Sequence, residues 1–183
     1  MSWLIRQGTV EERNRELYEY AAVSFITTFS PFVLTIVIGI LINRMWEGVA
    51  IIFPFMILRK FSGGYHAKHM LTCLISSTAL LTIVIYASTY VNYGTTTTLW
   101  LLISIISLVV NSPIDSENYR LDHIEKKLFR RIVIGTVIFL FFIYISLGEM
   151  GFEKAAVCVS LGVDLTAILQ LPCFIEVMRG IVI

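Results

Sequence analysis

The sequence predicts an all-α, polytopic membrane protein of about six transmembrane helices plus amphipathic interfacial helices, on three observations. The 183-residue chain is 57% hydrophobic and only 15% charged, with a mean hydropathy of +0.81, more apolar surface than a soluble domain of this size buries. The apolar residues come in runs, and no Asp, Glu, Lys or Arg occurs between Lys68 and Asp115. Lys and Arg concentrate between alternate runs, as the positive-inside rule requires of a multi-pass protein.

Residues 1–20 are charged and polar and lack the apolar core of a signal peptide. Trp3, Val10 and Leu17 recur every seven residues, with Glu11, Glu12, Arg13, Arg15 and Glu16 between them. That pattern predicts an amphipathic helix on the inner leaflet; Gly8 interrupts it, and a solvated tail is the other reading. Ala21–Ile42 is a 22-residue uncharged stretch, enough to cross a hydrocarbon core about 30 Å thick. Gly48–Leu58 has only 11 residues and reads as a short span lengthened by Trp46 and Arg59, or as a re-entrant segment. Met70–Tyr90 and Thr97–Val110 follow, separated by the polar turn Asn92-Tyr93-Gly94-Thr95-Thr96 and closed by Pro113. In Ser116–Phe129 the apolar Leu121, Ile124 and Leu128 oppose Glu117, Arg120, Asp122 and Lys126, which predicts an amphipathic surface connector. Ile132–Leu147 and Ala155–Leu171 complete the six.

Charge placement supports that count. With the N-terminus inside, twelve of the 14 Lys and Arg residues fall on the cytoplasmic side and only Arg44 and Lys154 outside. Omitting Gly48–Leu58 would reverse every later segment and destroy the asymmetry. One membrane domain over 1–183 follows, with cytoplasmic termini, a cytoplasmic amphipathic segment at 1–20, and cytoplasmic loops at 59–69 and 112–131. A net charge of +1 and the lack of a basic-aromatic patch give no reason to expect nucleic acid, whereas lipid is an expected partner. Three cysteines make no disulfide framework, and cytoplasmic-side thiols stay reduced. Cys158 and Cys173 read as small apolar residues of the last segment.

The chemistry-bearing segment is Arg59–Cys73, where a basic, glycine-containing loop at 59–69 runs into the third span. A thiol with an imidazole nearby is the minimal set for nucleophilic catalysis, because the base raises the thiolate fraction. Cys73 lies near the predicted helix start, where the helix dipole also lowers a thiol pKa. On a continuous helix His66 and Cys73 would be about 10 Å apart along the axis, so His66 must lie in the loop and fold back. Gly63 and Gly64 permit that bend and a close substrate approach. His69, four residues before Cys73, is a rival partner. His66, His69 and Cys73 could also hold zinc, with Asp122 or His123 as a fourth ligand, or be merely structural.

Asp164 sits midway along the last apolar segment, where an ionisable group is costly and usually functional. It could orient His66, line a polar peptide path, pair with a group such as Asn111, or be a protonated acid hydrogen-bonded inside the bundle. Arg59, Lys60, Lys126, Lys127, Arg130 and Arg131 set orientation and meet anionic head groups, or else form a basic mouth for an acidic peptide. A small peptide transporter or export protein, using Asp164 and the Ser/Thr-bearing spans as a path, is the non-enzymatic alternative; a metal-binding membrane protein is another.

Gly63-Gly64-Tyr65-His66-Ala67, the preceding Arg59 and Lys60, and a cysteine seven residues after the histidine resemble the accessory gene regulator B family of membrane cysteine endopeptidases. Chain length, six spans and Ser112-Pro113-Ile114-Asp115 opening a charged loop fit the same plan. The resemblance implies that Cys73 is the nucleophile and His66 the catalytic histidine. The implied substrate is a small precursor peptide with an acidic C-terminal region. It would be cut to release its tail and converted into a quorum-sensing autoinducer, typically a cyclic thiolactone or lactone. The implied chemistry uses neither cofactor nor metal, and a homodimer is compatible with it.

Overall fold

The computed structural model describes residues 29–62, 70–113 and 122–178, with the backbone alone at 70–77, 123 and 172–178. Among the described residues are six α-helices and no strand. They are α1 (Phe29–Leu41), α2 (Met45–Ser62), α3 (Met70–Ala87), α4 (Thr95–Asn111), α5 (His123–Glu149) and α6 (Glu153–Met178). Two of them, α5 over Ile124–Glu149 and α6 over Glu153–Leu171, are each long and apolar enough to cross a bilayer.

Helix α6 is the axis of the bundle. It packs on α2, α4 and α5, and α3 touches α2. Val159, Val163 and Ala167 of α6 meet Leu58 of α2, Leu101 and Leu108 of α4, and Val137 and Leu140 of α5 in the main core. On the other side Cys158 lies among Ile38, Ile51 and Ile85, and Leu165 against Ile52 and Leu81. Cys158 is thus a core residue, as its setting in an apolar run implied. The outward faces are also apolar: Val37, Phe53, Ile83, Ile103, Ile106, Phe139 and Phe142 are all exposed. A surface of this kind matches hydrocarbon rather than water.

Helices α2 and α6 approach each other closely at one seam. Pro54 lies inside α2 and is buried there, and lacks the N–H that would bond the Ala50 carbonyl. Gly162 of α6 lies against the Pro54 ring and the Ile51 carbonyl, and a Cβ at 162 would overlap both. Small residues at such seams let two backbones approach where lipid supplies no hydrophobic drive. Buried hydroxyls bond locally: Thr35 Oγ1 donates to the Pro31 carbonyl at 2.7 Å, Ser160 Oγ to Val157 at 2.8 Å and Thr166 Oγ1 to Gly162 at 3.0 Å. An unpaired polar group inside the membrane would cost about 2–7 kcal/mol. Tyr144, fully buried, shares a 2.8 Å hydrogen bond with Thr98 and so joins α5 to α4.

The helices differ in extent from the apolar runs. α1 is described from Phe29 to Leu41, and residues 21–28 lie outside the described set, as do 1–20. α2 spans 18 residues, about 27 Å, so the second segment is longer than its 11-residue uncharged core. Hydropathy missed its ends because Glu47, Arg59 and Lys60 occupy the first and last turns, where charged heads reach out of an apolar layer. α3 stops at Ala87, short of the expected Tyr90. Ser88 and Thr89 hydroxyls bond the Ile85 and Tyr86 carbonyls, while the Thr89 and Tyr90 N–H groups tighten to residues three back. Thr95 and Thr96, expected in the turn, form the first turn of α4. At the far end, Pro113 follows the helix stop as expected.

The largest difference is at α5. Residues 123–131, expected in a surface connector and charged loop, are the first turns of the 27-residue α5. The Asp122 N–H donates to Glu125 Oε2 at 3.1 Å, half of a capping box that starts the helix there, and no Gly or Pro interrupts it before Ile132. Residues 114–121 lie outside the described set. α5 ends in a Schellman turn: Phe152 N–H bonds the Leu147 carbonyl at 2.8 Å and Gly151 N–H the Gly148 carbonyl at 3.1 Å. Gly151 has φ +82°, which is why a glycine stands there.

Candidate functional site

The site builds at the end of the bundle where α2 and α4 finish and α5 begins. Phe61, next to last in α2, meets Phe129 of α5 edge-to-face, with ring centroids 5.7 Å apart and planes at 76°. This contact brings the basic last turn of α2, Arg59 and Lys60, beside the basic start of α5, Lys126, Lys127, Arg130 and Arg131. Lys60, Lys127, Arg130 and Arg131 are exposed, whereas Arg59 and Lys126 are partly buried and engaged. Lys60 Nζ lies 5.7 Å from the Phe61 ring centroid. Cations suit the C-terminal end of α2, whereas on α5 only Lys126 falls in the first turn, where the dipole opposes it. All four α5 cations lie within its first nine residues.

A polar clamp lies beneath this end. Gln170 of α6 is 1% exposed and donates its amide to the Ser62 carbonyl at 3.2 Å and to Ser112 Oγ at 2.9 Å. It ties α6 to the ends of α2 and α4, from residues 108 and 58 positions apart in sequence. Sequence reading passed over Gln170, although an amide inside the run Ile168-Leu169-Gln170-Leu171 is the same kind of anomaly as Asp164.

Cys73 is the fourth described residue of α3, and its backbone alone is described. Gly63, Gly64, His66 and His69 lie outside the described residues, so the pairing of His66 with Cys73 does too. The same holds for a zinc set of His66, His69 and Cys73. Asp122 is exposed beside Glu125, and only the backbone of His123 is described. Asp164 is mid-helix in α6 as expected, with Ser104 of α4 beside it and its Oδ1 buried without a hydrogen-bond partner. Asn111 is not its partner; that amide donates to Ser107 Oγ at 3.3 Å.

Residues 1–171 match the family model described as accessory gene regulator B. The chain belongs to the accessory gene regulator B family. Membership implies a role in the accessory gene regulator system of quorum sensing, within a family known for peptide processing. With its two apolar spanning helices it also identifies a membrane protein. The chain is similar to a protein of Clostridium perfringens (strain SM101 / Type A) named only as AgrB-like, 30% identical over 80 residues. That match covers 41% of this chain and 37% of the relative, so the chain spans well under half of the relative's length there. No solved structure matches. In this member of the family, the described site is therefore a convergence of basic helix ends over a buried amide clamp.

Proposed function

We propose that this member of the accessory gene regulator B family is a membrane cysteine endopeptidase. It would cut the C-terminal tail from a small precursor peptide and yield an autoinducer, with Cys73 as nucleophile and His66 as base. The observation that carries the reading is the convergence of the end of α2, which leads into the His66 segment, with the cationic start of α5. Such a cluster suits the docking of an acidic peptide tail. The six-span, single-domain arrangement, with both termini and this end of the bundle cytoplasmic, belongs to the same proposal. It draws on the charge asymmetry of the chain.

On this reading His66 takes the Cys73 proton, and the thiolate attacks the scissile carbonyl carbon. A C–S bond forms as the C–N bond breaks, and the imidazolium returns its proton to the leaving amine. A thiol or hydroxyl of the peptide itself then attacks the thioester carbon, giving its proton to His66, and the C–S bond to Cys73 breaks, which closes a thiolactone or lactone and returns the Cys73 thiolate. Transfer to a thiol is close to thermoneutral, so it keeps acyl energy that hydrolysis would discard. A site at the membrane boundary favours this route by limiting water. Backbone N–H groups at the start of α3 are the available oxyanion donors.

The test is cleavage of the candidate precursor by purified protein in lipid, read by mass spectrometry. Cys73→Ser and His66→Ala are each expected to lower the rate by about 10³-fold or more while the protein stays folded. Cleavage by both variants at the wild-type rate would remove the peptidase reading and favour peptide transport, with Asp164 as the residue to examine next.

A further inference from the structure

At the end opposite the basic cluster, a cavity of about 570 Å³ opens between the start of α2 and the α5–α6 turn. Small-molecule sites are typically about 300–1,000 Å³, so the volume suits a ligand of that size. Its inner wall is apolar, formed by Ala50 of α2 and the buried Cys158 of α6. Trp46 and Phe152, 76% and 58% exposed, flank the opening. An exposed indole at a helix end of an apolar bundle suits the boundary between hydrocarbon and water. Three ionisable side chains line the cavity, Glu47, Glu153 and Lys154. The Glu47 carboxylate is neutralised by Arg44 at 3.1 Å. Lys154 Nζ donates to the Thr89 carbonyl at 3.3 Å, which places the ammonium without cancelling its charge. Glu153 and Lys154 are exposed, and neither is in an ion pair among the described residues. The cavity therefore presents one uncompensated carboxylate and one uncompensated cation beside an apolar wall. A wholly anionic head group would meet Glu153 as a like charge. A water-soluble zwitterion would leave the apolar wall and both aromatic rings uncovered. The complement of this lining is a zwitterion joined to hydrocarbon.

We propose that this cavity binds the head group of an ammonium-bearing phospholipid, phosphatidylethanolamine being the simplest. The lipid phosphate pairs with Lys154, and the lipid ammonium donates to the Glu153 carboxylate and lies against the Trp46 ring. The first part of its chains covers the apolar wall and Phe152. The site is independent of the peptidase reading, since it uses only the start of α2 and the α5–α6 turn, at the far end of the bundle from the basic helix ends.

The test is native mass spectrometry of the purified full-length protein after exchange into mixed micelles holding equal amounts of phosphatidylethanolamine, phosphatidylcholine and phosphatidylglycerol. Wild type is expected to retain phosphatidylethanolamine in preference to phosphatidylcholine, which is equally zwitterionic but has no ammonium N–H to donate. Glu153→Gln and Lys154→Gln are each expected to lower that retention by about two- to five-fold, and Trp46→Ala to lower it in the same direction. Glu153 also favours the start of α6 through the helix dipole, so lipid retention and not stability is the readout. Glu149→Gln removes an exposed carboxylate at the same end that does not line the cavity, and is expected to match wild type. Equal retention of phosphatidylcholine and phosphatidylethanolamine would overturn the proposal, because the ammonium would not be read. Displacement of phosphatidylethanolamine by phosphatidylglycerol would overturn it in favour of an anion site. Wild-type retention in both Glu153→Gln and Lys154→Gln, or an equal loss in Glu149→Gln, would show that the cavity lining does not select the lipid.

Discussion

Gly162→Leu is expected to prevent the bundle from assembling, and Gly162→Ala to destabilise it severely. A Cβ at this position meets the Ile51 carbonyl and comes within 2.6 Å of Pro54 Cγ. One obstacle is main chain and the other a closed ring, so no rotamer change relieves the overlap; α2 and α6 must separate. Added methylenes in packed cores cost about 1–3 kcal/mol, and a rigid backbone obstacle puts even the alanine variant at or beyond that range. α6 also carries the contacts to α4 and α5, so displacing it loosens the main core. Gly135 of α5 provides the control, since nothing lies within 4 Å of a Cβ built there. Gly135→Ala is expected to be neutral or to raise stability by up to about 1 kcal/mol, from helix propensity. Thermal unfolding in one detergent or lipid distinguishes the two. Equal midpoints for Gly162→Ala and wild type would contradict the α2–α6 seam.

Reversing the exposed cations of α5 is expected to weaken peptide binding and leave the chemical step unchanged. Lys127→Glu, Arg130→Glu and Arg131→Glu replace three positive charges at the mouth with three negative ones. Exposed charge pairs contribute about 0.2–1 kcal/mol each, so three reversals raise KM for an acid-tailed peptide by roughly 10- to 100-fold at low salt. The difference should shrink as salt shortens the screening length to about 3 Å near 1 M. In the wild type, KM should rise over the same salt range. Membrane orientation must be checked alongside by labelling from one side, because these cations also bear on topology. A KM for the triple variant equal to wild type at low salt would assign them to topology and lipid alone.

The chain was legible where apolar residues dominate and less so where charged turns continue a helix. The all-α class follows from long uncharged runs, and Asp164 and Cys158 lie where those runs put them. The ends of α2 and α5 were shortened because hydropathy reads Arg59, Lys60 and Lys126–Arg131 as loop, although long cationic side chains are compatible with terminal helix turns. The signal for the start of α5 was present as Asp122 with Glu125 three residues on. The site was only partly legible. His66 and Cys73 stand out by residue type and spacing, whereas the Phe61–Phe129 contact and the Gln170 clamp join residues 58 to 108 positions apart. No local pattern encodes such pairings. They arise from the order in which α2, α4 and α5 pack around α6.

The most direct measurement is the intact mass of the protein after brief mixing with its precursor peptide and acid quench. A cysteine peptidase passing through a thioester is expected to show a population heavier by the N-terminal part of the peptide. Fragment mapping should place the added mass on Cys73, and the adduct should be lost in Cys73→Ala and discharged by hydroxylamine. Tail release with no adduct at Cys73, or with the acyl group on another residue, would contradict the assignment of the nucleophile.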